Sequence, residues 1–213
     1  MTTQGPPARP VRTFLLTRRP LIPLLFAAIL VIVLCRYADA PYAIASLNLA
    51  LDTPMTFLIP GVLGATAALL SHSSTPDMEQ VATPRLAQHR TILLAAVVLT
   101  QWVYLLGAAW AMHRFASVDV LPEITAQLWW ATVFYQGICI LSAAAFTSVK
   151  MWILPLIMLT IPFMFGYAPN TTPYWWNVLL TVHPFTSTLA VVLLAAGLIA
   201  TRTCRQGFLE PRA

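Results

Sequence analysis

Residues 73–90 read SSTPDMEQVATPRLAQHR, and the placement of this polar run decides the fold. Apolar stretches flank it on both sides, Met55–Ser71 before and Thr91–Met112 after. Thr75-Pro76 has the chemistry of a helix start. The threonine hydroxyl caps free backbone N–H groups, and proline suits the first helical position, where its missing N–H costs nothing. Asp77 and Glu79 follow in the first turn, where negative charge suits the helix dipole. Met78, Val81 and Ala82 recur at i, i+3, i+4 and form an apolar side. Thr83-Pro84 repeats the start signal, and Pro84 keeps Thr83 out of the helical region, so the first helix ends after about two turns. A second helix begins there and runs on into the membrane. The run is therefore a short, capped, amphipathic helix between two membrane spans; the plainer reading is a solvated connection with good turn chemistry.

The whole chain supports the flanking spans. Of its 213 residues 59% are hydrophobic and 9% charged, with a mean hydropathy of +0.76. Soluble domains carry roughly 25% charged residues, so this composition belongs in a bilayer. The net charge of +5 needs no nucleic-acid partner, because the arginines sit at the ends of apolar segments. Cys35, Cys139 and Cys204 share no spacing that suggests a metal site or a disulfide framework.

Working outward, the expected fold is all-α: a single transmembrane domain, 1–213, with six spans at about 20–35, 55–71, 91–112, 126–146, 151–168 and 184–201. Each is long enough, some barely, for a hydrocarbon core of about 30 Å. Residues 1–10 are proline-rich and polar. Val11–Arg19 reads as an interfacial helix or as a plain positive flank. Arg18-Arg19, the following apolar run and Ala38-Asp39-Ala40 also fit a signal peptide, against which stands the presence of Met1 in the same chain. Residues 36–54 read as a loop dipping into the interface. Pro60, Gly61 and Gly64 permit a bend and close helix contact in the second span. Trp129-Trp130 marks the start of the fourth. Pro155 and Pro162 kink the fifth and free carbonyls that neighbours must satisfy. Residues 169–183 read as a loop, with room for a short interfacial helix at 174–181.

With the N-terminus inside, ten basic residues fall on the cytoplasmic side: Arg9, Arg12, Arg18, Arg19, Arg85, Arg90, Lys150, Arg202, Arg205 and Arg212. Only Arg36 and Arg114 fall outside. The positive-inside rule then places both termini, and the 73–90 run, in the cytoplasm of a bacterial cell membrane.

The chain has no phosphate-binding G-x-x-x-x-G-K-[ST] loop, no H-E-x-x-H and no G-x-S-x-G, so no catalytic residue, cofactor or metal is assigned. His72, His89, His113 and His183 read as interfacial or solvated. No Asp, Glu, Lys or Arg lies deep in any span, whereas ion-coupled carriers keep ionisable groups there. The polar groups within the spans are neutral: Thr66, Thr100, Gln101, Gln136, Ser142 and Thr160. Gln101, Gln136 and Thr160 are the candidates for lining a passage; the other reading is hydrogen bonding between helices. Energy for any transport would come from outside the bilayer.

Six spans, a basic N-terminus, no nucleotide site and a capped helix between spans two and three resemble the permease subunit of a six-helix ATP-binding-cassette exporter. That family includes bacterial drug, bacteriocin-immunity and glycan exporters. The resemblance implies that Thr75–Ala82 is a coupling helix seated in a groove of a separate cytoplasmic ATPase, which holds ATP and Mg. Asp77, Met78, Glu79 and Val81 would then touch the ATPase, with Arg85 beside it. It also implies a second permease copy, identical or related, and membrane lipid as surroundings. An ATP-independent carrier and a membrane scaffold or accessory subunit are the competing expectations.

Overall fold

The computed structural model describes residues 20–36, 41–44, 49–54, 58–72, 84–115, 122–146, 148–168 and 172–203. Six helices occupy the six expected places: α1 Leu21–Arg36, α2 Ile59–Ser71, α3 Pro84–Phe115, α4 Pro122–Ala145, α5 Ile153–Phe165 and α6 Pro184–Thr203. Three contain segments long and apolar enough to cross a bilayer: Arg90–Ala111, Thr125–Ala145 and Pro184–Thr203. The protein is therefore helical and membrane-embedded. At 1.5 Å per residue, α1 reaches about 24 Å and α2 and α5 about 20 Å each, short of a hydrocarbon core of about 30 Å.

Several boundaries differ from expectation for local reasons. Helix α2 is described from Ile59, and Pro60 stands in its first turn, where it starts the helix instead of bending it; Met55 lies outside the described residues. Helix α3 does begin at Pro84, and it continues unbroken for 32 residues, about 48 Å. Within residues 36–54 the chain forms two antiparallel strands, β1 Pro41–Ile44 and β2 Leu49–Pro54, pairing Tyr42 with Leu51 and Ile44 with Leu49. Proline stands at the outer end of each strand, where a missing donor does least harm. Lys150 lies inside a 3-10 turn, Ser148–Trp152, that leads directly into α5. Residues 174–181 are turns, closed off by a Tyr167–Pro173 bridge, and not a helix. The expected helices at Val11–Arg19 and Thr75–Ala82 lie outside the described residues.

Helix α4 is the centre: every residue from Ala131 to Ile140 is buried. Two small-residue crossings let its neighbours come close. A Cβ at Gly64 of α2 would lie 3.0 Å from the Tyr135 backbone and from Cys139 Sγ. A Cβ at Gly137 would lie 2.5 Å from the Leu194 nitrogen of α6, and one at Gly197 would lie 3.1–3.2 Å from Gly137, Ile140 and Leu141. These contacts make α2, α4 and α6 run the same way. Helices α3 and α5 run the other way, since Leu63 and Ser71 meet Gln101 and Arg90, and Tyr135 and Ser142 meet Met158 and Met151. Arg90 donates to the Ser71 carbonyl at 2.6 Å, clasping the end of α2 to the start of α3. A cation there also offsets the negative end of the α2 dipole.

Candidate functional site

A buried polar seam crosses the bundle where α2, α3 and α4 meet. Gln101 of α3 donates from Nε2 to the Leu63 carbonyl of α2 at 2.9 Å. Gln136 of α4 donates from Nε2 to Gln101 Oε1 at 2.6 Å. Gln136 Oε1 accepts from Trp102 Nε1 at 3.3 Å, and the Trp102 ring lies 4.8 Å from that of Trp129. Both glutamines are fully buried. Each amide oxygen thus has a donor, and each amide nitrogen an acceptor. The seam is neutral, so it can hold helices in register or bind a ligand by hydrogen bonds, but it offers no proton to move.

The second polar arrangement holds α5. Proline has no N–H, so each proline in a helix leaves the carbonyl four residues back without its usual donor. Pro155 has no such effect, because it stands in the first turn of α5, and Ser142 Oγ donates to the carbonyl of Met151, in the turn before the helix, at 2.7 Å. Pro162 does leave the Met158 carbonyl bare, and Tyr135 Oη donates there at 2.6 Å. Tyr135 and Ser142 are two turns apart on α4, so one face of α4 holds α5 at the Pro162 defect and at the turn that leads into it. The end of α5 is completed by Asn177, fully buried, which donates from Nδ2 to the Gly166 carbonyl at 3.1 Å and the Pro162 carbonyl at 3.3 Å. Gly166 has to be glycine, because a Cβ there would overlap the Asn177 amide and the Pro162 carbonyl.

At the start of α6, His183 acts as a helix cap. Its Nδ1 accepts from the Phe185 N–H at 3.2 Å, while Thr186 Oγ1 accepts from the His183 N–H at 3.2 Å. This is a reciprocal capping box with imidazole in place of the usual hydroxyl. Trp175 packs beside it, 5.3 Å from the His183 ring and 5.9 Å from that of Phe185.

Of the residues expected to matter, Gln101 and Gln136 are brought together and Thr160 is not. Thr160 is exposed and donates to the Leu156 carbonyl of its own helix at 2.8 Å. Thr66 and Thr100 likewise turn back to Val62 and Ala96. Asp77, Met78, Glu79 and Val81 lie outside the described residues. Arg85 stands in the first turn of α3, its side chain outside the description. Asn177 and His183 were missed as structural keys. A histidine before Pro184 with Thr186 three residues on was a capping signal available in the sequence; nothing around Asn177 announces its partners eleven and fifteen residues away. Among the described residues no group of three His, Cys, Asp or Glu could hold a metal, and Cys35 and Cys139 are buried free thiols.

Comparison with models of known families, with curated proteins and with solved structures finds no match to this chain in any of the three.

Proposed function

We propose that this chain is the membrane-spanning permease subunit of an ATP-binding-cassette transporter, an exporter driven by a separate cytoplasmic ATPase. In this reading all six helices are spans, both termini are cytoplasmic, and the subunit works beside a second permease copy in a bacterial cell membrane. One observation carries the reading. The end of α2 and the start of the span-like part of α3 are clasped as a stem by Arg90 on the Ser71 carbonyl, and the sequence joining these two helices is the polar run from Ser73 to Thr83, ahead of the 32-residue α3. The span-like part of α3 begins only at Arg90, so its first six residues form an extension of that stem. A push on the run would travel along a rigid helix to Gln101, in the seam against α2 and α4. The lack of ionisable groups deep in the helices agrees with an external motor.

A scaffold or accessory role is favoured by a different observation: Gln101 and Gln136 are fully engaged with each other, Leu63 and Trp102. The two readings separate in one experiment. The chain is co-expressed with any soluble ATPase that carries a phosphate loop and is encoded in a neighbouring reading frame, and the pair is purified in detergent. A permease retains the ATPase, and Asp77→Lys with Glu79→Lys releases it and abolishes the ATP turnover that depends on the complex. Retention and turnover unchanged by the double charge reversal would remove the coupling assignment.

A further inference from the structure

A groove of about 720 Å³ lies outside this seam, between α1 and α3. Its two walls are rows of side chains one turn apart. Ala28, Ile32 and Arg36 form the α1 row; Val103, Gly107 and Ala111 form the α3 row. Cys35 Sγ–H reaches the Ala108 carbonyl at 3.8 Å and joins the two helices. Gly107 leaves a gap, because a Cβ built there meets nothing within 4 Å. The lining is apolar for its whole length except at one end. There Arg36, the last residue of α1, stands exposed with no hydrogen-bond or ion-pair partner among the described residues.

The length of the groove points to its occupant. Each row spans nine residues, eight steps and a rise of about 12 Å, against about 15 Å for half of a hydrocarbon core. A trough of one-leaflet depth, apolar inside and cationic at its end, matches a lipid with its chain along the helices and its headgroup at the interface. Trp110, 64% exposed at the rim, is the residue type that settles at that level. A guanidinium binds phosphate through paired N–H donors. We propose that this groove holds one acyl chain of an anionic phospholipid and that Arg36 binds the phosphate. A second copy of the chain seated on the same face is the competing occupant. It would leave the Arg36 charge facing apolar side chains, since the exposed face of α1 beyond it is Ile32, Ile29, Phe26 and Leu25. The proposal does not depend on what the protein transports.

The test uses the full chain released from nanodiscs of equal phosphatidylglycerol and phosphatidylcholine, with the lipids that stay bound counted by native mass spectrometry. The expected result is preferential retention of one phosphatidylglycerol. Arg36→Gln lowers that preference by about fivefold while a lipid still binds. Gly107→Leu fills the gap and lowers retention of both lipids. Arg202→Gln, at the end of α6, changes neither. Unfolding midpoints in detergent equal to wild type show that the variants are folded. Equal retention of the two lipids by the wild-type chain overturns the proposal. So does an Arg36→Gln protein with undiminished preference, or a dimer cross-linked through Gly107→Cys that binds no lipid.

Discussion

Along α4, every residue from Ala131 to Ile140 is buried, among them Thr132, Tyr135, Gln136 and Cys139. Along α3, Ile92, Leu99, Val103, Leu106 and Trp110 stand exposed. The enclosed helix is the less apolar of the two by hydropathy. In a soluble protein the ranking would be reversed, because water drives the most apolar surface inward. In a bilayer the tails around α3 are as apolar as leucine, so its side chains gain little by turning inward. What belongs in the middle is the helix with polar groups to satisfy and small residues that let other backbones come close. Helix α4 has both, in Gln136, Tyr135 and Ser142 on the one hand and Gly137 on the other.

The strongest way to break this contrast is at the two glycines. Gly137→Ala places a methyl 2.5 Å from the Leu194 nitrogen and 2.7 Å from the Leu193 carbonyl carbon, neither of which can move aside as a side chain would. The α4–α6 crossing must open, at an expected cost of about 3 kcal/mol or more. Gly107→Ala on α3 meets nothing, so it should leave stability unchanged or raise it by up to about 1 kcal/mol through helix propensity. Graded SDS unfolding measures both, and similar behaviour of the two variants would refute the central place of α4.

The next effect is at Pro162. Tyr135→Phe leaves the Met158 carbonyl without its donor, and should cost about 1–3 kcal/mol. In a Pro162→Ala background the new backbone N–H supplies that donor, so Tyr135→Phe should then cost clearly less. A double-mutant cycle by the same unfolding assay reads the coupling. Additive costs would mean that the hydroxyl does not compensate for the proline.

The smallest expected effect is in the seam. Gln136→Leu removes the donor to Gln101 and should cost about 0.6–1.7 kcal/mol, the range for hydrogen bonds between membrane helices. Gln101→Leu with Gln136→Leu should cost less than the two single changes added together. A sum that is fully additive would mean that the glutamines act separately, and would favour a passage over a helix lock.

Much of this architecture was legible beforehand. The Thr83-Pro84 start signal ahead of an apolar run predicts α3 from Pro84, and the six apolar segments each contain a helix. Composition alone placed the chain in a membrane. The partners of those segments were not legible. Hydropathy measures transfer from water into an apolar medium, and that free energy is nearly the same whether a side chain ends against lipid or against another helix. The sequence shows that Pro162 frees a carbonyl, yet not that Tyr135, 27 positions earlier, supplies the hydroxyl, nor that Asn177 closes the end of α5. Chain composition determined the solvent and the helices. Only their three-dimensional packing decided that α4 stands in the centre, because close approach and hydrogen-bond geometry belong to pairs of distant segments and to no segment by itself.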